Sequence, residues 1–173
     1  LGKRSQFARN PRDYYPTPQA AVKPLLPWLS PGTLFTEPCA GDGRLIRHLE
    51  AEGHICIAAS DLEPRAPEIK QHDARTVVIE DNRGIVVTNC PWDRALLHPI
   101  IDNLSRQITC WFLLDADWLH TRQANGYWQR CVLVVSVGRI KWIEGSKHTG
   151  KDNCCWLRFD PGHKGGPHFI GRS

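Results

Sequence analysis

With 173 residues the chain is long enough to bury one good core and too short for two comfortable ones, which predicts a single domain over 1–173. A hydrophobic content of 41% with 23% charged residues is that of a soluble globular protein. No apolar run approaches the roughly 20 residues of a membrane span, which argues against a membrane protein. The net charge of +4 permits a nucleic-acid partner without demanding one.

Lys3, Arg4, Arg9 and Arg12 crowd the opening, so 1–13 is expected to be a flexible basic arm. "NPRDYYPTPQAA" is rich in turn formers, and "PQAAVKPLLPWL" predicts a short helix broken at Pro24 and Pro27. Leu34-Phe35-Thr36 reads as a brief strand. Arg44 to Glu52 has helical apolar spacing at Leu45, Ile46 and Leu49, and Gly53 ends it. Ile55 to Ala59 is a second strand running into Ser60-Asp61-Leu62, and Ile69 to Asp73 a short third. Ile85 to Thr88 is a strand, "RALLHPIIDNLSR" a helix kinked near Pro99, and "CWFLL", Cys110 to Leu114, the next buried strand.

Apolar runs without alternation, separated by helices, predict a parallel sheet covered on both faces. The later segments Cys131 to Val137, Lys141 to Ile143 and Cys154 to Phe159 follow one another without a helix. They predict an antiparallel hairpin at the sheet's edge. Trp111, Trp118, Trp128, Trp142 and Trp156 read mostly as core. The seven cysteines are odd in number, lack CxxC spacing and mostly sit in apolar runs, as reduced, buried thiols do. A cytoplasmic protein without a metal site is expected.

The first strand–helix junction, "FTEPCAGDGRLIRHL", puts Gly41-Asp42-Gly43 where a doubly wound sheet binds a nucleotide-like ligand. The full dinucleotide fingerprint is absent because Ile46 occupies the third glycine position, and there is no phosphate-loop lysine. Glu37 and Asp42 bring negative charge, which repels pyrophosphate and suits a cationic ligand. A tight structural turn would explain the glycines as well. Asp61 ends the second strand about twenty residues further on, where a carboxylate can accept from ribose hydroxyls; a helix N-cap is the alternative. Asp73 suits contact with an adenine amino group, or is a solvated loop aspartate.

In "GIVVTNCPWD" the apolar fourth strand ends abruptly in an amide, a rigid proline and a large flat ring. The tip of that strand lies beside a ligand bound at the first. An exocyclic base amine is a poor nucleophile because its lone pair is delocalised into the ring. The side-chain carbonyl of Asn89 and the backbone carbonyl of Cys90 can accept its two hydrogens and draw the nitrogen toward a tetrahedral state, in line with a methyl sulfonium. For such a substrate Pro91 is expected to stiffen the loop and Trp92 to stack on the base face. A duplex base must be flipped out to reach such a pocket.

"TNCPW" resembles the catalytic motif of S-adenosylmethionine-dependent amino-methyltransferases, usually Asn-Pro-Pro followed by Tyr, Phe or Trp. "EPCAGDG" resembles their cofactor motif, and "DYYPTP" the element before it. The order is that of DNA adenine-N6 methyltransferases whose cofactor half comes first, small phage-encoded ones among them. "RIKW…GKDNCCWLRF" looks like their closing hairpin, so the resemblance covers roughly 14–160.

The resemblance implies an α/β chain of Rossmann-like class I methyltransferase fold, with a mostly parallel central sheet and an antiparallel hairpin at one edge. It implies S-adenosylmethionine as cofactor, DNA as partner, the adenine N6 amine as acceptor, and a bacterial or phage-infected cell as the setting. Asn89, Cys90, Pro91 and Trp92 correspond to the catalytic motif. Tyr15, Thr17, Pro18, Glu37, Pro38, Cys39, Ala40, Gly41, Gly43, Asp61, Leu62, Asp73 and Asn89 are expected around the cofactor. Trp92, Arg122, Tyr127, Trp128, Lys147 and Lys151 are expected to meet the nucleic acid.

Cys90 departs from the family's usual proline. A thiol nucleophile, as in cytosine-C5 methylation, is the alternative, but it would leave the asparagine unexplained. Cytosine N4, an RNA base or a protein glutamine are alternative acceptors, and a catalytically silent nucleic-acid-binding domain is the rival of another class. No separate target-recognition domain is visible. Target choice should fall chiefly to loops at 121–129 and 145–153, plus the basic termini.

Overall fold

The computed structural model describes residues 14–143, 149–150 and 152–172. Eight strands form one sheet: β1 (Leu34–Glu37), β2 (Ile55–Asp61), β3 (Lys70–Gln71), β4 (Ile85–Thr88), β5 (Cys110–Asp115), β6 (Cys131–Gly138), β7 (Cys154–Phe159) and β8 (His168–Ile170). Their order across the sheet is β3-β2-β1-β4-β5-β7-β6-β8. The first five are mutually parallel. β7 runs antiparallel to both its neighbours, β5 and β6.

Successive residues of a strand point to opposite faces. Val86, Phe112 and Leu157 therefore pack with Leu97, Ile101 and Leu104 of helix α3 (Arg94–Ser105). Val87, Trp111, Leu113 and Trp156 pack on the other face with α1 (Gln19–Val22) and α2 (Arg44–Ala51). Both faces are covered, so the central strands read as unbroken apolar runs: all of Cys110 to Leu114 is buried. Trp111, Trp118 and Trp156 are buried as expected. Asp93 caps α3 by accepting from the Ala95 amide at 2.8 Å. Pro99, with no N–H to donate, is accommodated inside α3 on its exposed side.

The sheet corrects the sequence reading in three places. The hairpin does not itself form the edge: β7 is inserted between β5 and β6, and the unanticipated β8 pairs parallel with β6 outside it. His168 and Phe169 are exposed, so β8 carries no apolar pattern to betray it. Lys141 to Ile143 is not a strand, because the chain leaves the sheet at Gly138, whose φ of +83° is left-handed. The third strand shrinks to Lys70–Gln71, which pairs with β2 at only two positions.

After β1 the chain moves outward to β2 and β3, then returns to place β4 on β1's other flank. That reversal opens a crevice beyond the C-terminal ends of β1 and β4, the usual ligand position in such sheets. Among the described residues no helix is long and apolar enough to cross a membrane.

Candidate active site

A cleft open to solvent lies at this reversal. Its floor is the turn after β1. Gly41 has φ +55°, and a Cβ there would lie 2.6 Å from the Tyr14 ring, so the ring rests directly on the glycine. The Arg65 guanidinium covers that ring at 3.9 Å from its centroid. The Gly41 amide donates to Asp61 Oδ2 at 2.8 Å, while Asp61 Oδ1 accepts from the Glu63 amide at 2.8 Å. Asp61 thus ties the β1 turn to the β2 turn and still borders the cleft.

Glu37 ends β1 at 1% exposure, and its Oε2 has no hydrogen-bond partner. Burial pushes its carboxyl well above the ordinary carboxylate range, and Asp61 and Asp42 push the same way. A buried, underpaired acid facing a cleft is suited to a cationic group.

Of the residues named for the cofactor, Tyr15, Thr17, Pro38, Cys39, Ala40, Leu62, Asp73 and Asn89 also line the cleft. Pro18 and Gly43 do not. Pro18 starts α1, its carbonyl accepting from the Ala21 amide. Gly43 caps α2 in a left-handed conformation, φ +75°, facing Arg47 and Ile69 instead. Asp73 is at the wall, but its carboxylate is already engaged. The Arg75 guanidinium binds both its oxygens, at distances down to 2.6 Å, and holds its carboxyl below the usual range. An adenine amine would have to share it.

At the tip of β4, Asn89 donates from Nδ2 to the Tyr15 carbonyl at 3.1 Å. Its Oδ1 is the atom of this side chain able to accept from an amine. Pro91 borders the cleft, whereas Cys90 is 2% exposed with its side chain in the core beside α3. Burial pushes its thiol up to about 12.

Trp92 departs from expectation. Its ring does not line the cleft: the indole N–H donates to the Leu113 carbonyl at 2.9 Å, and the ring meets Trp142 edge-on at 5.4 Å. Stacking on a base therefore needs a substrate to come to that ring or the ring to turn.

Tyr127 is a second correction. Its ring is buried against Trp118 and His98, and its hydroxyl donates to Asp102 Oδ2 at 3.3 Å, so it cannot meet nucleic acid from there. The "polar" loop is a run of 3-10 turns from Ala116 to Arg130 whose aromatic side pairs with α3. Trp128 is half-buried in the same cluster. Arg122 is exposed, and Lys147 and Lys151 lie outside the described residues.

Sequence reasoning missed Tyr14, Arg65 and Arg75, which line the cleft. Tyr14 was within reach, as the first tyrosine of "DYYPTP". Arg65 and Arg75 carry no local signal. Among the described residues no group of His, Cys, Asp or Glu is placed to hold a metal.

No protein-family model matches the chain, and no curated protein matches it by sequence. Solved structures do. A candidate RNA methyltransferase of Pyrococcus horikoshii superposes with a TM-score of 0.62 at 18% identity, over 88% of this chain and 91% of that one. The methyltransferase subunit of a type I restriction-modification system from Streptococcus thermophilus gives 0.57 at 10% identity, over 86% and 45%. A dimethyladenosine transferase of Plasmodium falciparum gives 0.55 at 13%, over 86% and 62%. The chain has the Rossmann-like fold of the class I methyltransferases. These three structures range from 10% to 18% identity, and it spans less than two thirds of the last two.

Proposed function

We propose that the chain transfers a methyl group from S-adenosylmethionine to the exocyclic N6 amine of adenine in DNA. One observation carries the reading: Asn89, at the tip of β4, lines the same cleft as buried Glu37 and the Gly41 turn. The residues present fit the cofactor. The unpartnered Oε2 of Glu37 suits an α-ammonium group, and Asp61 retains lone pairs beyond its two amide bonds for ribose hydroxyls. When bound, the sulfonium supplies an electrophilic methyl group.

Asn89 Oδ1 and the Cys90 carbonyl accept the two amine hydrogens and orient the nitrogen lone pair toward that methyl. The proton released on transfer passes to water. Cys90 contributes its backbone and not its sulfur, since a thiol held near 12 is not a thiolate at neutral pH. The names of the fold relatives, which include RNA and restriction-modification methyltransferases, support a nucleic-acid acceptor.

The test is transfer of tritiated methyl from S-adenosylmethionine to DNA, RNA and protein, followed by digestion of the labelled product. N6-methyladenine from DNA is the expected outcome. Label in N4-methylcytosine, RNA or glutamine would reassign the acceptor, and no cofactor binding at all would sink the reading.

A further inference from the structure

The connection leaving β6 passes through Ile140, Lys141 and Trp142 before the chain returns at Gly150. The return is tight: the Gly150 amide donates to the Ile140 carbonyl at 2.7 Å. A Cβ on Gly150 would sit 2.9 Å from that carbonyl oxygen and 3.0 Å from Trp142 Cδ1. A side chain there would press on the Ile140 carbonyl and crowd the indole, so the crossing packs closely against Trp142. In front, Trp142 meets the Trp92 ring at 5.4 Å and 85°, and the Tyr15 ring at 6.3 Å and 60°. Both are edge-to-face contacts, favourable for aromatic pairs and sensitive to position.

The circuit closes through Asn89, three residues before Trp92, whose Nδ2 donates to the Tyr15 carbonyl. Tyr15 belongs to a strap, 14–17, that lines the cofactor cleft, and Asn89 and Trp92 belong to the acceptor loop, 89–93, between β4 and α3. Each touches Trp142 or a residue that does. We propose that Trp142 is a positioning residue, which rests on the methyltransferase reading above. It holds strap and acceptor loop in fixed register, so that the amine reaches the methyl donor correctly aimed. It touches neither reactant.

Hydrogen–deuterium exchange on the cofactor-free protein tests this without relying on activity. Trp142→Ala should raise exchange in the peptides that continue from the strap and from the acceptor loop, read at the hydrogen-bonded amides of Ala21, Leu96 and Leu97, while the amides of β5 and β7 keep their protection. Trp142→Phe, which restores a ring, should leave both segments as in the parent. In transfer assays Trp142→Ala should lower kcat/KM by about tenfold or more, the scale expected when reacting groups are slightly misaligned, and calorimetry should show several-fold weaker cofactor binding. Trp142→Phe should recover most of both. If Trp142→Ala does not fold, Trp142→Leu, apolar but without a ring, replaces it with the same expectation.

Unchanged exchange in the ringless variant, or a Phe variant no better than it, overturns the proposal. A parent protein that binds cofactor but methylates no nucleic acid would overturn the acceptor assignment and leave the exchange result standing.

Discussion

Asn89 is oriented before any substrate arrives, because its Nδ2 is committed to the Tyr15 carbonyl. Asn89→Ala should lower methyl transfer by about 10²–10³-fold, the usual cost of losing one positioned polar group at a reacting centre, with little change in cofactor affinity. Single-turnover kinetics beside calorimetry reads both. A parallel collapse of the two would mean that the amide holds the cleft and not the amine. Cys90→Ala should keep its activity, since only the Cys90 carbonyl is used; complete loss would point to the sulfur.

Glu37 yields a pH dependence whose sign can be worked out. Its carboxyl titrates well above the ordinary range in the folded protein, from burial first and then from Asp61 and Asp42. Above the ordinary carboxylate value the unfolded chain has lost a proton that the native state retains. Glu37 therefore contributes stability at low pH that is lost as pH rises toward its folded value. A cationic ligand needs the ionised form, so cofactor affinity should rise over the same interval. Calorimetric titrations across pH, with Glu37→Gln flattening the curve, check this; an equal slope in that variant would assign the effect elsewhere.

α3 is the element on which the acceptor loop is mounted, since it begins two residues after Trp92. Its outer side is locked to the 3-10 segment by His98, whose Nε2 accepts from the Trp118 indole N–H at 3.0 Å, and by Asp102, which receives Tyr127 and Arg130. Protonating His98 removes that acceptor. Burial, then Arg94, lowers its pKa, with Asp102 opposing. Between the folded value and the ordinary 6.5 the unfolded chain binds the proton and the native state does not. Stability should thus fall as pH drops through 6.5 toward the folded value. Urea melts at successive pH values would show it, and His98→Gln, which still accepts from Trp118, should remove most of the slope. An unaltered slope in that variant would clear His98 of responsibility.

At the scale of the whole molecule, the strap reaches the sheet through α1. The Trp156 indole N–H, on β7, donates to the Ala21 carbonyl at 2.7 Å across 135 residues of chain, and Trp156 is fully buried. Trp156→Phe leaves that carbonyl unpaired and opens space in the core, so it should cost about 2–4 kcal/mol. The denaturant midpoint measures this, and a loss under about 0.5 kcal/mol would show that the contact is replaced by water or relaxation.

What the sequence determined by itself was whatever has a local cause. Phe35, Val86 and Cys110 to Leu114 form runs that only two-sided burial explains, and the Gly41 turn and Asn89 sit at strand tips that such runs define. What only the tertiary structure decided was pairing and aim. The insertion of β7 beside β5, joining Cys110 to Phe159, depends on hydrogen bonds between segments far apart in the chain, which no periodicity encodes. The same holds for Trp92, turned to the Leu113 carbonyl and Trp142, and for Tyr127, buried on Asp102: an aromatic residue next to a motif looks alike whether it faces a ligand or a neighbour. Side-chain direction is set by the packing of distant elements, and only the assembled fold supplies it.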